Sequence, residues 1–450
     1  MKSKKPKVLC EVLFRPLIDW VIESAESCGL AHEDVCVVTG HGREQLLAAL
    51  PQDIATVEQT QRLGTGHAVM QAREFLRAHG SGNVLILGGD TPFMDGETVR
   101  CALEYHAGAD NAVTVITAEV PDSTGYGRIV RDDAGNFASI IEEKDANDAQ
   151  KAIREINSGA YWFNCQALLT ALDTLETNAK YRLNAAKEYY LTDAIEILRG
   201  MGQRASTFRS KSPDIVLGAN DRVQLAALNE IARMRVIDAH RRSGVSIPFA
   251  DGVVIAPGVQ IGRDAQILCG TILRGRTVIG EDAVIGPNTV LEDCTVGEGA
   301  SVVSTFGQGA AIGAQTQVGP FARLRPGTTI GENVRVGNFV EIKNTTVGNE
   351  TKISHLSYIG DTDVGENVNI GSGCATVNFT GKEKFRTEIG DHAFIGCDTS
   401  LVAPVKVGAR AYTGAGSTIT EDVPDDALAL GRARQVIKKD WVKVKKPYRK

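Results

Sequence analysis

Nine cysteines are spread over 450 residues with no Cys-x-x-Cys pair and no His/Cys spacing suited to a metal. That excludes a zinc finger and a disulfide framework, and an odd number of thiols fits a reducing cytoplasm. No apolar run approaches the ~18 residues that span a bilayer. The opening Met1-Lys2-Ser3-Lys4-Lys5-Pro6-Lys7-Val8-Leu9 lacks the apolar core of a signal peptide. Excess positive charge is missing too: the net charge is −6, which removes the electrostatic case for a nucleic-acid partner. The expectation is a soluble cytoplasmic protein without a membrane or nucleic-acid partner. One basic stretch stands out, since 9 of the last 20 residues are Lys or Arg. It reads as a solvated terminus, with contact to a phosphate-bearing ligand as the alternative. The length exceeds what one compact core holds, so two or three domains are expected.

The 47 glycines crowd into the C-terminal half in company with Ile and Val. From Ile255 an aliphatic returns at every sixth position: Ile261, Ile267, Leu273, Ile279, Ile285 and Leu291. The period resumes from Ile312 to Ile342, slips through Val347, Ile353, Ile359, Val364 and Ile370, and runs again from Ile389 to Ile419. Gly often follows the aliphatic, as in Ile261-Gly262, Ile279-Gly280, Val336-Gly337 and Ile395-Gly396. Six matches neither the 3.6 of a helix nor the 2 of a strand. A β-sandwich with glycine turns would alternate every two residues, and that alternation is absent. The period predicts a parallel β-helix of hexapeptide repeats, about nine coils at ~18 residues per coil, with glycine serving the turns. The repeat breaks between Ile370 and Ile389, which predicts an excursion loop where binding residues gather.

Residues 1 to about 220 alternate strand-like segments (35–40, 84–90, 112–116) with helical ones (17–28, 66–78, 97–105). This is α/β order with a mostly parallel sheet. Ligands of such sheets bind at the carboxyl ends of strands, which draws attention to Asp90. A carboxylate there suits a Mg²⁺–nucleotide site, though in isolation a strand-end cap or turn Asp is the better reading, and the Leu63–Ala68 turn adds weight to the site. Leu63-Gly64-Thr65-Gly66-His67-Ala68 is a glycine-flanked turn opening a helix, suited to close contact with a base or phosphate. From Asn220 to about Arg242 the chain has good helix formers and no Gly or Pro. A helix of roughly 35 Å is expected, N-capped by Asn220 or Asp221. The resulting expectation is four regions: 1–219, a linker helix 220–243, the β-helix 244–430 and a basic tail 431–450.

Motifs along nearly the whole chain carry a resemblance. They include Gly89-Asp90-Thr91-Pro92, Thr124-Gly125-Tyr126-Gly127-Arg128-Ile129, Glu155-Ile156-Asn157-Ser158-Gly159 and Gly218-Ala219-Asn220-Asp221-Arg222. Gly319-Pro320-Phe321-Ala322-Arg323-Leu324-Arg325-Pro326-Gly327 and Val336-Gly337-Asn338-Phe339-Val340-Glu341-Ile342-Lys343 are the strongest. The chain resembles the bifunctional N-acetylglucosamine-1-phosphate uridylyltransferases / glucosamine-1-phosphate acetyltransferases of UDP-N-acetylglucosamine synthesis. The resemblance implies a Rossmann-like α/β nucleotidyltransferase domain followed by a left-handed β-helix, assembled as a homotrimer on small-molecule substrates. For acetyl transfer from acetyl-CoA it implies His355 as catalytic base and Glu341 as its acidic partner. Arg325, Lys343, Tyr358 and Asn369 match the sugar-phosphate contacts, and Ser372, Asn378, Phe379, Cys397, Ala415 and Arg432 the acetyl-CoA positions. Phe379, Cys397 and Ser372 depart from the family's usual Tyr, Ser and Ala, which touches donor contacts rather than the reaction. For uridylyl transfer, Asp90 and Asn220 match the Mg²⁺ ligands and Lys7 a phosphate-reaching lysine. Gln59, Gly64 and Thr65 match uridine contacts, and Gly127, Glu142 and Asn157 the amino-sugar site.

Family members carry, ahead of the Pro6-Lys7-Val8-Leu9 string, a buried strand and a glycine loop ending in Arg-Met. The chain begins at what looks like that Met. A late-called start and a truly short chain both account for this. For the polypeptide as it stands, the expectation is unpaired sheet edges, acetyl transfer retained and uridylyl transfer largely lost. A monofunctional acetyltransferase is therefore the alternative to the two-activity enzyme. A non-catalytic regulatory subunit is disfavoured by His355, Glu341, Arg325 and Lys343 standing together.

Overall fold

The computed structural model describes residues 1–181 and 188–447. Two compact units emerge, Met1–Ile231 and Ala232–Lys450, with the division inside the Arg222–Arg242 helix. Of its two N-cap candidates, Asp221 does the work: its carboxylate accepts from the Gln224 N–H at 2.8 Å.

In the first unit the Val113–Glu119 strand is buried along six of its seven residues, as a strand covered on both faces must be. It pairs in parallel with Ala205–Arg209 on one side and antiparallel with Glu155–Asn164 on the other. Glu155–Asn164 also pairs antiparallel with Asn83–Ile86 and, through Arg128↔Ile156, with Arg128–Arg131. The expected mostly parallel sheet is thus mixed. The antiparallel Arg128–Arg131/Phe137–Ile141 pair leads the chain into the ten-residue strand, so that strand runs against its neighbours. A separate two-stranded parallel sheet, Cys36–Thr39 with Ala55–Glu58, is joined through the Arg43–Ala49 helix. Among the described residues Cys36–Thr39 and Asn83–Ile86 each pair on one side only.

The second unit is the left-handed parallel β-helix. One face carries nine short strands, from Gln260–Ile261 to Val405–Val407, matching the nine coils expected from length. Aliphatics of successive coils stand in register, as in Ile255↔Leu273↔Leu291 and Leu324↔Ile342↔Ile359. Of the periodic residues, Ile261 alone is only partly buried. Each such side chain contributes about 1.5–3 kcal/mol by leaving water, so truncating Leu324 to Ala costs about 2–5 kcal/mol.

Gly286 and Gly319, after Ile285 and Val318, adopt the expected turn conformation at φ +102 and +105, but Gly262, Gly280, Gly337 and Gly396 have a different reason. A Cβ on Gly262 would stand 2.6 Å from the Glu281 nitrogen, and one on Gly337 only 1.8 Å from the Ser354 oxygen. Stacking of coils, not backbone angle, forbids a side chain there. The left-handed corners fall two residues later, at Asp264, Asp282, Phe339 and Asp398. Asp and Asn tolerate that region, whereas Phe339 occupies it at a cost.

Candidate active sites

The first candidate site lies at one corner of the β-helix. Phe321, Phe339, Leu356, Gly373, Asp398 and Gly416 stack in successive coils, all at positive φ. Backbone bonds tie the column: Phe339 N–H to Phe321 O at 3.2 Å, Gly373 to Leu356 at 2.9 Å and Gly416 to Cys397 at 2.8 Å. The residues just before these corners are therefore stacked as well: Asn338, His355, Ser372, Cys397 and Ala415. Four of those five are sequence-predicted, and the coil spacing puts His355 roughly 15 Å from Ala415 along one straight line. Arg432 joins the far end, since a Cβ on Gly416 would lie 3.9 Å from its Cδ. Asn369 sits in the Ser372 coil, in ladder register with Lys352 and Phe394.

His355 is exposed, and its Nδ1 lies 3.2 Å from the Asn338 side-chain oxygen. With the amide oxygen facing it, Nδ1 is the donor of this bond and Nε2 is left on the far side of the ring. The expected partner, Glu341, is elsewhere: its carboxylate accepts from Arg325 Nη1 at 2.9 Å. Ladder register explains the difference, because Asn338 stands opposite His355 while Glu341 stands opposite Tyr358.

The adjoining face gathers cations. Arg325 and Lys343 follow Leu324 and Ile342 in neighbouring coils. Asp361 is nearly fully buried at 5% exposure and organises the group. It accepts from Asn344 at 2.6 Å and Asn378 at 2.5 Å, with Lys343 Nζ 4.0 Å away. Burial raises its carboxyl, but the two amide bonds and the charges of Lys343 and Lys384 together hold it below the usual range. Tyr358 Oη lies 3.4 Å from the Asn378 amide nitrogen.

The expected excursion is shorter than the break in periodicity, because Ala375–Val377 continues the coil before the loop departs. The loop returns through a Phe385 N–H to Asn378 O bond of 2.9 Å and a Phe379↔Lys384 bridge. Phe379 remains 54% exposed. The loop also delivers Lys384 to Lys343, whose proximity pushes the Lys384 ammonium below the usual lysine range. Sequence reasoning missed Lys384, Asn338 and Asp361. Asn338 was legible, being one 17-residue coil before His355; the loop gave no periodic signal for Lys384.

In the first unit, Lys7 Nζ bonds Asp90 Oδ2 and, at 2.6 Å, Asn220 Oδ1. The two oxygens thus converge on one positive charge. One carboxylate and one amide oxygen fit Mg²⁺, which takes its remaining ligands from phosphate and water. Among the described residues no group of three or more His, Cys, Asp or Glu could hold a metal unaided. Gly218 packs on this site, a Cβ there standing 3.0 Å from the Asp90 carbonyl oxygen.

Gln59 Nε2 donates to Gly64 O at 3.0 Å, and the next residue, Thr65, accepts at Oγ1 from the Leu191 N–H at 3.1 Å. Gly64 is at φ +94, and a Cβ would lie 2.5 Å from Tyr189 O. Asn157 N–H donates to Gly127 O at 2.8 Å, and a Cβ on Gly127 would stand 3.5 Å from both Glu142 carboxylate oxygens. Burial, then the charge of Asp145, pushes the Glu142 carboxyl above its usual range.

Known families divide along the same lines. Nucleotidyl transferase matches residues 1–208, the GMPPB C-terminal domain 306–383 and the bacterial transferase hexapeptide (six repeats) 386–421. The bifunctional protein GlmU of Caldanaerobacter subterraneus subsp. tengcongensis is 46% identical over 98% of this chain and 94% of its own length. Those of Acetivibrio thermocellus and a Geobacillus species are 44% and 45% identical, each over 98% of this chain and 94–95% of their own. The nucleotidyl transferase match from residue 1 onward does not favour the monofunctional alternative. By these matches over nearly its whole length, the chain belongs to the bifunctional GlmU family, in which an acetyltransferase and a uridylyltransferase share one polypeptide.

Proposed function

We propose that the corner column of the β-helix is the acetyl-transfer site and that His355 is its base. The observation that carries this is the stacking of His355 with Ser372, Cys397 and Ala415 beside the Arg325/Lys343/Lys384 face. Glucosamine-1-phosphate lies with its phosphate on the three cations. His355 Nε2 takes a proton from the sugar ammonium, and the nitrogen so uncovered attacks the thioester carbonyl of acetyl-CoA. The carbon–sulfur bond breaks, CoA leaves as the thiolate and the amide forms. Asn338 holds the imidazole through Nδ1, and Glu341 holds the Arg325 guanidinium. Ser372, Asn378, Phe379, Cys397, Ala415 and Arg432 line the donor's path, with Tyr358 and Asn369 on the sugar.

At the second site, Asp90 and Asn220 would hold Mg²⁺ and Lys7 would reach the phosphates. When bound, the ion would supply charge neutralisation for transfer of uridylyl from UTP to N-acetylglucosamine-1-phosphate, with pyrophosphate leaving. Gln59, Gly64 and Thr65 present a close backbone surface to the uridine. Gly127, Glu142 and Asn157 form a small cluster for the amino sugar.

We also read the protein as a cytoplasmic homotrimer. Phe321, Phe339 and Leu356 are 57–61% exposed on the column beneath the acetyl site, an apolar ridge suited to another copy. Among the described residues no helix is long and apolar enough to cross a membrane.

The test assays the two reactions separately in His355→Ala. Acetyl transfer is expected to fall about 10²–10⁴-fold with uridylyl transfer unchanged. Unchanged acetyl transfer removes His355 from the reaction and this reading with it.

A further inference from the structure

Among the described residues the largest fully buried side chain is Arg128, at 1% exposure, one position after Gly127. Its Nη2 pairs with Glu143 Oε2 at 2.7 Å, and its Nη1 donates to the Tyr126 carbonyl oxygen. Its Nε is buried as well and meets no acceptor among the described residues. A buried ion pair gains little over apolar packing of the same volume, and less when one donor stays unmet. Stability is therefore a poor reason for this guanidinium.

The turn ahead of it supplies a better one. Glu143 Oε2 also accepts from the Gly125 N–H at 3.2 Å. One guanidinium and one carboxylate thus hold successive backbone groups, the Gly125 N–H and the Tyr126 carbonyl. Packing does not hold Gly125: it stands at φ +86, and a Cβ on it would meet nothing within 4 Å. Within the turn the backbone contributes Tyr126 N–H to Ser123 O at 3.2 Å. The turn delivers Gly127, whose missing side chain leaves the Glu142 carboxylate open and whose carbonyl accepts from the Asn157 N–H. The two neighbouring carboxyls are driven opposite ways. Burial, then Asp145, pushes Glu142 above its usual range, whereas the Arg128 bond, then the Gly125 N–H, holds Glu143 below its own. Glu143 is committed to the clamp, and Glu142 faces the space beside Gly127.

We propose that Arg128 and Glu143 are a positioning pair for recognition of the acetamido sugar, holding the Gly125–Gly127 turn so that Gly127, Glu142 and Asn157 form one surface. The inference rests on the assignment of those three residues to the amino-sugar site. The pair acts through the turn and not on the sugar; without it the turn relaxes away from Glu142. Nucleotide recognition is spared, because the Leu63–Thr65 segment is held by the Tyr189 and Leu191 N–H groups and not by this turn.

The test uses the full 450-residue chain and the double variant Arg128→Met/Glu143→Met, which removes both charges and leaves neither buried alone. Binding of UDP-N-acetylglucosamine and of UTP is measured by titration calorimetry, with Glu142→Gln as the reference. In the double variant the sugar nucleotide should bind about ten-fold more weakly, with UTP within about two-fold of wild type. Retained UTP binding also reports that the unit is folded. Glu143→Gln, which keeps an acceptor for Gly125 but not the charge, should lie between wild type and the double variant. Equal losses for the two ligands in both variants, or undiminished binding of the sugar nucleotide, overturn the proposal while a selective loss in Glu142→Gln upholds the amino-sugar site. If Glu142→Gln loses nothing, or wild type binds neither ligand, the amino-sugar assignment itself fails and this inference with it.

Discussion

Replacing Asp361 by Ala tests whether the proposed acetyl site is held together by one buried carboxylate. Asp361 accepts amide hydrogen bonds from Asn344 and Asn378 at 2.6 and 2.5 Å and faces Lys343 at 4.0 Å. A net hydrogen bond to a charged group contributes about 1.5–3 kcal/mol, and both would go. The residue also sits at φ +50, where Ala is less at ease than Asp. The expected destabilisation is about 3–5 kcal/mol, and thermal unfolding of the β-helix unit should drop by roughly 6–20 °C. Asp361→Asn, which keeps an acceptor and tolerates the corner, should lose about half as much.

Acid adds a second constraint, because the Asp361 carboxyl is held below the usual range in the folded state. Its stabilisation is therefore present above the unfolded carboxylate's pKa of about 4 and is lost as pH falls through the folded value. The gap between wild type and Asp361→Ala should be full at pH 7 and narrow in acid. Unfolding followed by scanning calorimetry at both pH values is the assay. A shift under about 2 °C at pH 7, or a gap that stays constant into acid, refutes the reasoning. Kinetically, KM for glucosamine-1-phosphate should rise more than kcat falls, since Asp361 positions Lys343 and Asn378 without touching the reacting atoms.

Two further outcomes separate the sites. Gly64→Ala places a Cβ 2.5 Å from Tyr189 O at φ +94, so uridylyl transfer should fall at least about ten-fold with acetyl transfer intact. A two-reaction assay showing equal losses would remove Gly64 from the nucleotide site. Lys384→Met should raise KM for glucosamine-1-phosphate on the order of ten-fold. Because Lys343 depresses the Lys384 ammonium, wild type loses that cation at a lower pH than an ordinary lysine would. The wild-type KM should therefore climb with alkaline pH and the climb flatten in Lys384→Met; parallel profiles would exclude Lys384 from phosphate binding.

Much of this molecule is legible in one dimension because a repeat fold is nearly one-dimensional. A six-residue aliphatic period requires that each side chain enter the same prism, so Ile255 through Ile419 announced the core and the number of coils. Motif strings carried the family and the candidate site residues proposed above. What they could not carry was the partner of each group. The imidazole of His355 meets Asn338, and Glu341 meets Arg325, because ladder register pairs side chains across coils by chain length per turn.

The same limit applies to Lys384 and to the glycines. The loop that brings Lys384 to Lys343 has no period to read. The glycines after the aliphatics looked like turn residues, yet stacking against the next coil is what excludes a Cβ at Gly337. In the first unit, helix and strand order was apparent from composition. The mixed sheet was decided by tertiary pairing. The residue pattern of a strand records which faces are buried; which neighbour takes its hydrogen bonds depends on backbone groups that all residues share.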